Sequence, residues 1–261
     1  KSISLVNEDK GELRIKRMQI PDDIRPLLGQ YAPEYGFKTI SSLAEHQGNI
    51  LFAIIAPETP FVLMGKYEKR KHTQEIVQTW LKKYGNNDKF LLTCCITNPF
   101  LKGEQMTSLL NQLLDGKHYS NINFLPHLKT NTEVNHLLNS ADIDLTGLSG
   151  AEGWNLPAFN ATALGKWSIV YNHTGHRSWA PPPNSILLEP KGKEDIYDNL
   201  FFSKGQPFNQ GSMYSFDRDQ VTAAMEEAVI KSENPNEEGK KIQTEFTYKR
   251  TVDEILKTIG T

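Results

Sequence analysis

The chain has 261 residues, with 29 Lys and Arg against 31 Asp and Glu and a formal net charge of -2. That length can bury a good core, as one large domain or two small ones. The balanced charge gives no electrostatic attraction to nucleic acid or to an anionic membrane surface. At 38% hydrophobic and 10% aromatic residues the chain reads as soluble and globular, and no apolar run approaches the ~20 residues of a spanning helix.

Residues 1–58 carry the weakest pattern. Ser2 to Val6, Glu12 to Met18 and Ile50 to Ala56 have strand character, and Pro21-Asp22-Asp23 can start a short helix at Ile24. Lys1-Ser2-Ile3-Ser4 leads straight into polar sequence, so no signal peptide is visible and a cytoplasmic location is expected. The missing initiator Met points to trimming or to a fragment. The two cysteines, Cys94 and Cys95, are adjacent on an expected strand. Their side chains then point to opposite faces, which rules against a mutual disulfide and suits core packing in a reducing compartment.

From Phe61 the pattern becomes regular. Phe61 to Met64 reads as a buried strand ending at Gly65, followed by a charged turn, Lys66-Tyr67-Glu68-Lys69-Arg70-Lys71-His72. Thr73 to Tyr84 reads as a helix with Ile76, Val77, Trp80, Leu81 and Tyr84 on one face. Strands are expected at Phe90 to Ile96 and Ile122 to Leu125. Between them Met106, Leu109, Leu110, Leu113 and Leu114 mark a helix stopped by Asp115-Gly116. Thr130 and Glu133 have capping-box spacing ahead of Val134, Leu137 and Leu138. Ile143 to Leu148, Trp167 to Tyr171 and Ile186 to Leu188 complete the strands. Beyond Pro190 the alternation breaks, and Lys191 to Phe216 reads as an ordered excursion. Asp217 with Gln220 can cap a helix through Val229, Ser232 to Gly239 reads as a polar linker, and Thr251 to Ile259 as a last amphipathic helix. Alternating strands and helices predict an α/β fold, a Rossmann-like parallel sheet flanked by helices. Ligands bind such sheets at the carboxyl ends of the strands.

Two turns fall at that edge: the basic turn after Met64, and the turn Ser149-Gly150-Ala151-Glu152-Gly153-Trp154-Asn155-Leu156. Pro157 is expected to open a helix after the second turn, and Gly165 to close it. The helix N-terminus then offers free N–H groups and the positive end of its dipole to an anion such as phosphate. The segment Ser149-x-x-Glu152-Gly-Trp-Asn-Leu-Pro-x-x-Asn160-Ala-x-Ala-x-Gly165 resembles the donor-binding motif of GT-B retaining glycosyltransferases of the family 4, or group 1, type, relatives of sucrose and glycogen synthases. Gly65-Lys66-x-x-x-x-Lys71 is similar to that family's first strand turn. Phe246-Thr247-Tyr248 with the final helix is similar to its closing segment. The resemblance covers roughly residues 60 to 259 and corresponds to the C-terminal, nucleotide-sugar-binding half.

The resemblance implies roles. Glu152 would bond hydroxyls of the donor sugar. Backbone N–H groups of Gly153, Trp154, Asn155 and Leu156 would hold sugar and diphosphate beside Gly65. Lys66 and Lys71 would neutralise the leaving diphosphate. Phe124, Leu125 and Pro126 would receive the base. Asn160 stands where the family has a ribose-binding Glu, and Lys66 where it has Arg, which removes a charge and a bidentate fork respectively. His173 and His176, in the loop after the Trp167 to Tyr171 strand, lie at the same edge. A surface or packed histidine is the default reading of both, and His173 is also a candidate ligand contact. Asp142-Ile143-Asp144 has the metal-binding Asp-x-Asp form, but at the strand end away from the ligand.

The implied organisation is residues 1–58 as an incomplete acceptor-side region, 59–231 as the nucleotide-sugar-binding domain and 232–261 as linker and C-terminal helices. The implied activity is sugar transfer from a UDP- or GDP-sugar to an unidentified acceptor, with retention and without a metal or other cofactor. The short N-terminal region points to a missing domain or to an oligomer. The alternative reading is a non-catalytic nucleotide-sugar-binding module or a scaffold keeping the fold alone.

Overall fold

The computed structural model describes residues 59–197, 202–207 and 211–260, and the backbone of an antiparallel pair, Lys38–Thr39 with Ile54–Ile55. The elements expected at 2–6, 12–18 and after Pro21 lie outside the described residues, as does the 50–56 strand apart from Ile54–Ile55. The chain divides into two compact units, Lys1–Pro57 and Glu58–Thr261.

In the second unit, strands β1 (Thr59–Met64), β2 (Phe90–Cys95), β3 (Ile122–Phe124), β4 (Ile143–Asp144), β5 (Trp167–Tyr171) and β6 (Ile186–Leu188) form one parallel sheet in the order β3-β2-β1-β4-β5-β6. This is the Rossmann-like order, and it reverses between β1 and β4. Helices α1 (Thr73–Tyr84), α2 (Gly103–Leu113), α3 (Asn131–Ser140), α4 (Leu156–Ala163) and α5 (Arg218–Lys231) pack around it. The period-2 alternation of β1 supplies both faces. Phe61 and Leu63 join Ile76, Val77, Trp80, Leu81 and Tyr84 of α1 and Val221, Ala224, Met225 and Ala228 of α5. Val62 and Met64 join Leu137 and Leu138 of α3 and Ala161 of α4. Cys94 and Cys95 divide between these same two cores and are both free thiols. The caps read from sequence are made: Thr130 and Glu133 bond reciprocally, and Asp217 accepts from the Gln220 N–H at 2.9 Å.

Two local expectations are corrected. The strand expected at 143–148 ends at Asp144, and Thr146–Leu148 forms a 3-10 turn. Thr146 diverts the chain: its hydroxyl takes the Met64 N–H at 3.0 Å while its own N–H bonds the Asp144 carboxylate at 3.1 Å. Helix α4 begins at Leu156, so Pro157 is its second residue. Its end is as expected: Gly165 at φ 79 closes it, with Gly165 N–H on Thr162 O and Lys166 N–H on Ala161 O. The excursion after Pro190 contains an antiparallel pair, β7 (Lys193–Asp195) with β8 (Ser212–Tyr214).

The polar stretch 232–239 is no free linker either. Short helices α6 (Glu237–Lys240) and α7 (Ile242–Glu245) precede α8 (Tyr248–Ile259). Asn236 is fully buried, and its amide donates to Asn184 O at 2.7 Å and Lys166 O at 3.0 Å while accepting from Gly239 N–H at 2.9 Å. Its own N–H bonds Gly165 O. One side chain therefore pins α6 to the end of α4 and to the loop before β6. Asn236→Ala strands several buried backbone groups, each costing about 1–3 kcal/mol. Urea unfolding should show a loss of roughly 2–4 kcal/mol, and a loss under ~0.5 kcal/mol, the ordinary surface range, would contradict this anchoring role.

Candidate functional site

The ends of β1 and β4 are the two strands flanking the reversal, and each carries one of the turns singled out above. The β1 turn leaves Met64 through Gly65 at φ 134, a conformation that side chains rarely adopt. A Cβ there would lie 3.1 Å from the Lys71 side chain, so the glycine also admits Lys71 over the strand end. The Lys71 Nζ then reaches Glu152 Oε1 of the β4 turn at 2.5 Å. Arg70 approaches the same oxygen at 3.4 Å.

Glu152 is thus a nearly buried carboxylate between two cations; 11% of its side chain is exposed. Burial pushes its pKa up, but Lys71, Arg70 and a Ser149 hydroxyl hydrogen bond outweigh burial and hold it below the ordinary glutamate value. It is ionised throughout the neutral range.

The turn carrying Glu152 is fixed from behind by buried polar groups. Asn155, at φ 64 and capping α4, is held there by its side chain, which donates to Thr146 O at 2.9 Å and to His176 Nε2 at 3.1 Å. Asn tolerates the left-handed region better than most residues. His176 Nδ1 meets Tyr171 O at 2.9 Å, and a carbonyl only accepts, so the proton sits on Nδ1 and Nε2 accepts from Asn155. His173 is fully buried, with Nε2 2.8 Å from Ser149 O and Nδ1 2.8 Å from the Thr174 hydroxyl, and it stacks on Tyr214. Thr174 Oγ1 donates to Glu152 O at 2.6 Å. A Cβ on Gly175 would fall 1.8 Å from Gly153 O, so only glycine lets the β5 loop lie this close to the turn. His72, the left-handed cap of α1, bonds Leu148 O at 2.9 Å through Nδ1.

The remaining expected residues are distributed as follows. Gly65, Lys71 and Glu152 converge. Gly153 and Leu156 are exposed at the mouth of α4, and Asn160 is exposed one turn further along it. Trp154 and Asn155 present backbone there: the Trp154 ring packs on Phe159 and Phe246 and its carbonyl accepts from Trp179 Nε1. Lys66 stands 5.3 Å above the Phe100 ring, towards the loop after β2. Phe124, Leu125 and Pro126 end β3 at the sheet margin, two strands from β1. His173 lies behind the turn rather than at its surface. Asp144 is buried in the sheet, where burial lifts its carboxyl to about 6. Among the described residues no three His, Cys, Asp or Glu side chains gather as a metal site. Thr146, Arg70, Thr174 and the internal side of Asn155 were missed in sequence. Their bonds span up to 82 positions and leave no local pattern.

The sheet order and the paired turns at its reversal define a Rossmann-like domain, and its neighbours among solved structures are domains of GT-B glycosyltransferases. No protein-family model and no curated protein matches the sequence. Among solved structures, the chain is similar to sucrose-phosphate synthase from Thermosynechococcus elongatus, with a TM-score of 0.55 and 14% identity over 78% of this chain and 46% of that one. It is similar to the C-terminal domain of a group 1 glycosyl transferase family protein from Francisella tularensis, with a TM-score of 0.50 and 20% identity over 73% of this chain and 86% of that one. It also resembles HepE from Anabaena, solved with UDP and glucose, with a TM-score of 0.54 and 12% identity over 93% of this chain and 53% of that one. The chain thus spans about half of the synthase and of HepE. No helix among the described residues is long and apolar enough to cross a membrane.

Burial pushes the pKa of His176 down to about 4, below the ordinary 6.5. Burial also lowers His72 and His173. The unfolded chain then binds more protons than the fold below the ordinary histidine value, so stability falls as pH drops below ~6.5, and for His176 the loss is complete near pH 4. For His176 the loss is about 3 kcal/mol. Asp144, raised rather than lowered, has the opposite slope: it binds its proton more tightly in the fold, and its cost appears as pH rises towards 6. Imidazole NMR should show His176 neutral, protonated on Nδ1, down to about pH 4. Titration near the free value of about 6.5 would contradict the buried network.

Proposed function

We propose that this chain is the donor-binding part of a glycosyltransferase that moves a sugar from a UDP- or GDP-sugar to an acceptor with retention of configuration. The observation that carries this reading is the Lys71–Glu152 pair, 2.5 Å apart across the reversal of the sheet and beside the N-terminus of α4. A cation for diphosphate and an ionised acceptor for sugar hydroxyls stand where ligands of open α/β sheets bind. The likeness to a protein solved with UDP and glucose supports the same class of donor.

In this reading Glu152 accepts hydrogen bonds from the donor sugar. The N–H groups of Gly153, Asn155 and Leu156 hold the phosphates at the positive helix end. Lys71, joined by Lys66 swinging from Phe100, offsets the charge that builds as the anomeric C–O bond to the diphosphate breaks. The acceptor hydroxyl oxygen bonds the same face of the anomeric carbon, its proton passes to the departing phosphate oxygen, and the nucleoside diphosphate leaves. Phe124 to Pro126 receive the base and Asn160 the ribose, while His173 acts by holding Ser149. Positioning and charge supply the catalysis, without a resident metal. Residues 59–231 form the donor domain and residues 1–58 the acceptor side, with further acceptor contacts from another domain or subunit. The two buried free thiols suit the reducing cytoplasm.

Calorimetric titration with UDP, GDP and ADP tests the site: one of them should bind, and binding of none overturns the proposal. With the matching sugar nucleotide, Glu152→Ala should abolish transfer while nucleoside diphosphate affinity stays within about threefold, the signature of an interaction made to the reacting sugar. Turnover surviving Glu152→Ala contradicts the assignment. Binding without transfer in the wild type identifies a non-catalytic sugar-nucleotide module.

A further inference from the structure

Arg70, the second cation beside Glu152, touches every residue from Ser149 to Glu152. Its carbonyl accepts the Gly150 N–H at 2.8 Å and faces the Ser149 hydroxyl at 3.3 Å. Its guanidinium donates to Ala151 O through Nη1 and lies 3.4 Å from Glu152 Oε1. The other arm of the fork is held by Glu68 Oε1 at 2.5 Å, and the Glu68 side chain is itself 6% exposed. A planar guanidinium suits this task because its five donors are fixed relative to one another; a lysine in its place keeps the charge and loses the fork.

Lys71 and Arg70 converge on the same Glu152 oxygen but are held differently. Arg70 is tethered on three sides, by Glu68, Ala151 and Glu152. Lys71 is a flexible point charge whose hydrogen-bonded anchor is Glu152 itself. A diphosphate entering beside α4 competes with Glu152 for Lys71. We propose that Arg70 is the positioning residue of the site: it keeps Glu152 ionised and in place when Lys71 turns to the diphosphate, so that one lysine can serve the phosphate without releasing the sugar-binding carboxylate. This rests on the donor-site reading above, and it adds a division of labour between adjacent cations. Arg70 acts through Glu152 and the turn, not on the donor.

The test separates the two claims. In the ligand-free protein, the Glu152 carboxyl is followed by NMR titration in wild type, Arg70→Gln and Arg70→Lys, which requires no donor. Arg70→Gln should move the Glu152 titration to higher pH, because a neighbouring cation is removed, and Arg70→Lys should restore it. With the matching donor, Arg70→Gln should lower kcat about 100-fold through misplacement of Glu152, with nucleoside diphosphate affinity changed by less than about threefold. The acid limb of its pH profile should move up with the titration. Arg70→Lys, which keeps the charge without the fork, should recover the acid limb but only part of kcat. A Glu152 titration that is the same in all three proteins overturns the proposal, and so does an affinity loss matching the loss of kcat. Should Arg70→Gln fail to fold, Arg70→Lys decides: kcat and Glu152 titration both equal to wild type overturn it. A wild type that binds none of UDP, GDP or ADP sinks the donor-site reading, while the titration still decides what Arg70 does to Glu152.

Discussion

The candidate site is organised around a charge pair closed above the point where the strand order of the sheet reverses. Between β1 and β4 the strand order reverses, so the loops leaving those strands diverge and open a crevice. Lys71 and Glu152 bridge that crevice. An ion pair so little exposed is costly to form from hydrated ions unless further hydrogen bonds satisfy both partners. Here Arg70 lies 3.4 Å from the same Glu152 oxygen, and the Gly150 N–H to Arg70 O bond ties the two turns together. In the proposed donor site a bound anion takes over the Lys71 charge, and the pair is a placeholder for that ligand rather than a strut.

The surroundings read as support for that pair. Three non-glycine residues at this edge, His72 at φ 53, Asn155 at φ 64 and Thr174 at φ 43, hold left-handed conformations that elsewhere cost of order 1–3 kcal/mol each. Each is bonded in place: His72 to Leu148 O, Asn155 to Thr146 O and His176, Thr174 to Glu152 O. Tyr214 N–H bonds Gly150 O, so the hairpin after Pro190 braces the same turn. Strain concentrated at one sheet edge and over-determined by buried hydrogen bonds is what a preorganised site requires.

Much of this was legible in the sequence because it is local. The 3.6-residue spacing of Ile76, Val77, Trp80, Leu81 and Tyr84 marked α1, and Thr130 with Glu133 marked the start of α3. The Gly65 to Lys71 and Ser149 to Gly165 patterns marked both turns. What the sequence hid is non-local. Thr146 ends β4 early by taking the N–H of Met64, 82 positions away. Asn236 turns an expected linker into an anchor through carbonyls of Lys166 and Asn184. Arg70 looked like one more charge in a solvated turn, because its partners other than Glu68 lie 79 to 82 residues further on. The packing of the Trp154 indole on Phe246 and the place of the His173 imidazole behind Ser149 are likewise non-local.

A crystal structure of the protein with the nucleoside diphosphate that it binds most tightly tests the central claim most directly. The account predicts the distal phosphate at the N-terminus of α4, hydrogen-bonded to the N–H groups of Asn155 and Leu156, with Lys71 Nζ withdrawn from Glu152 and bonded to a phosphate oxygen. A nucleotide seated elsewhere, with the Lys71–Glu152 pair still closed at 2.5 Å, would contradict it.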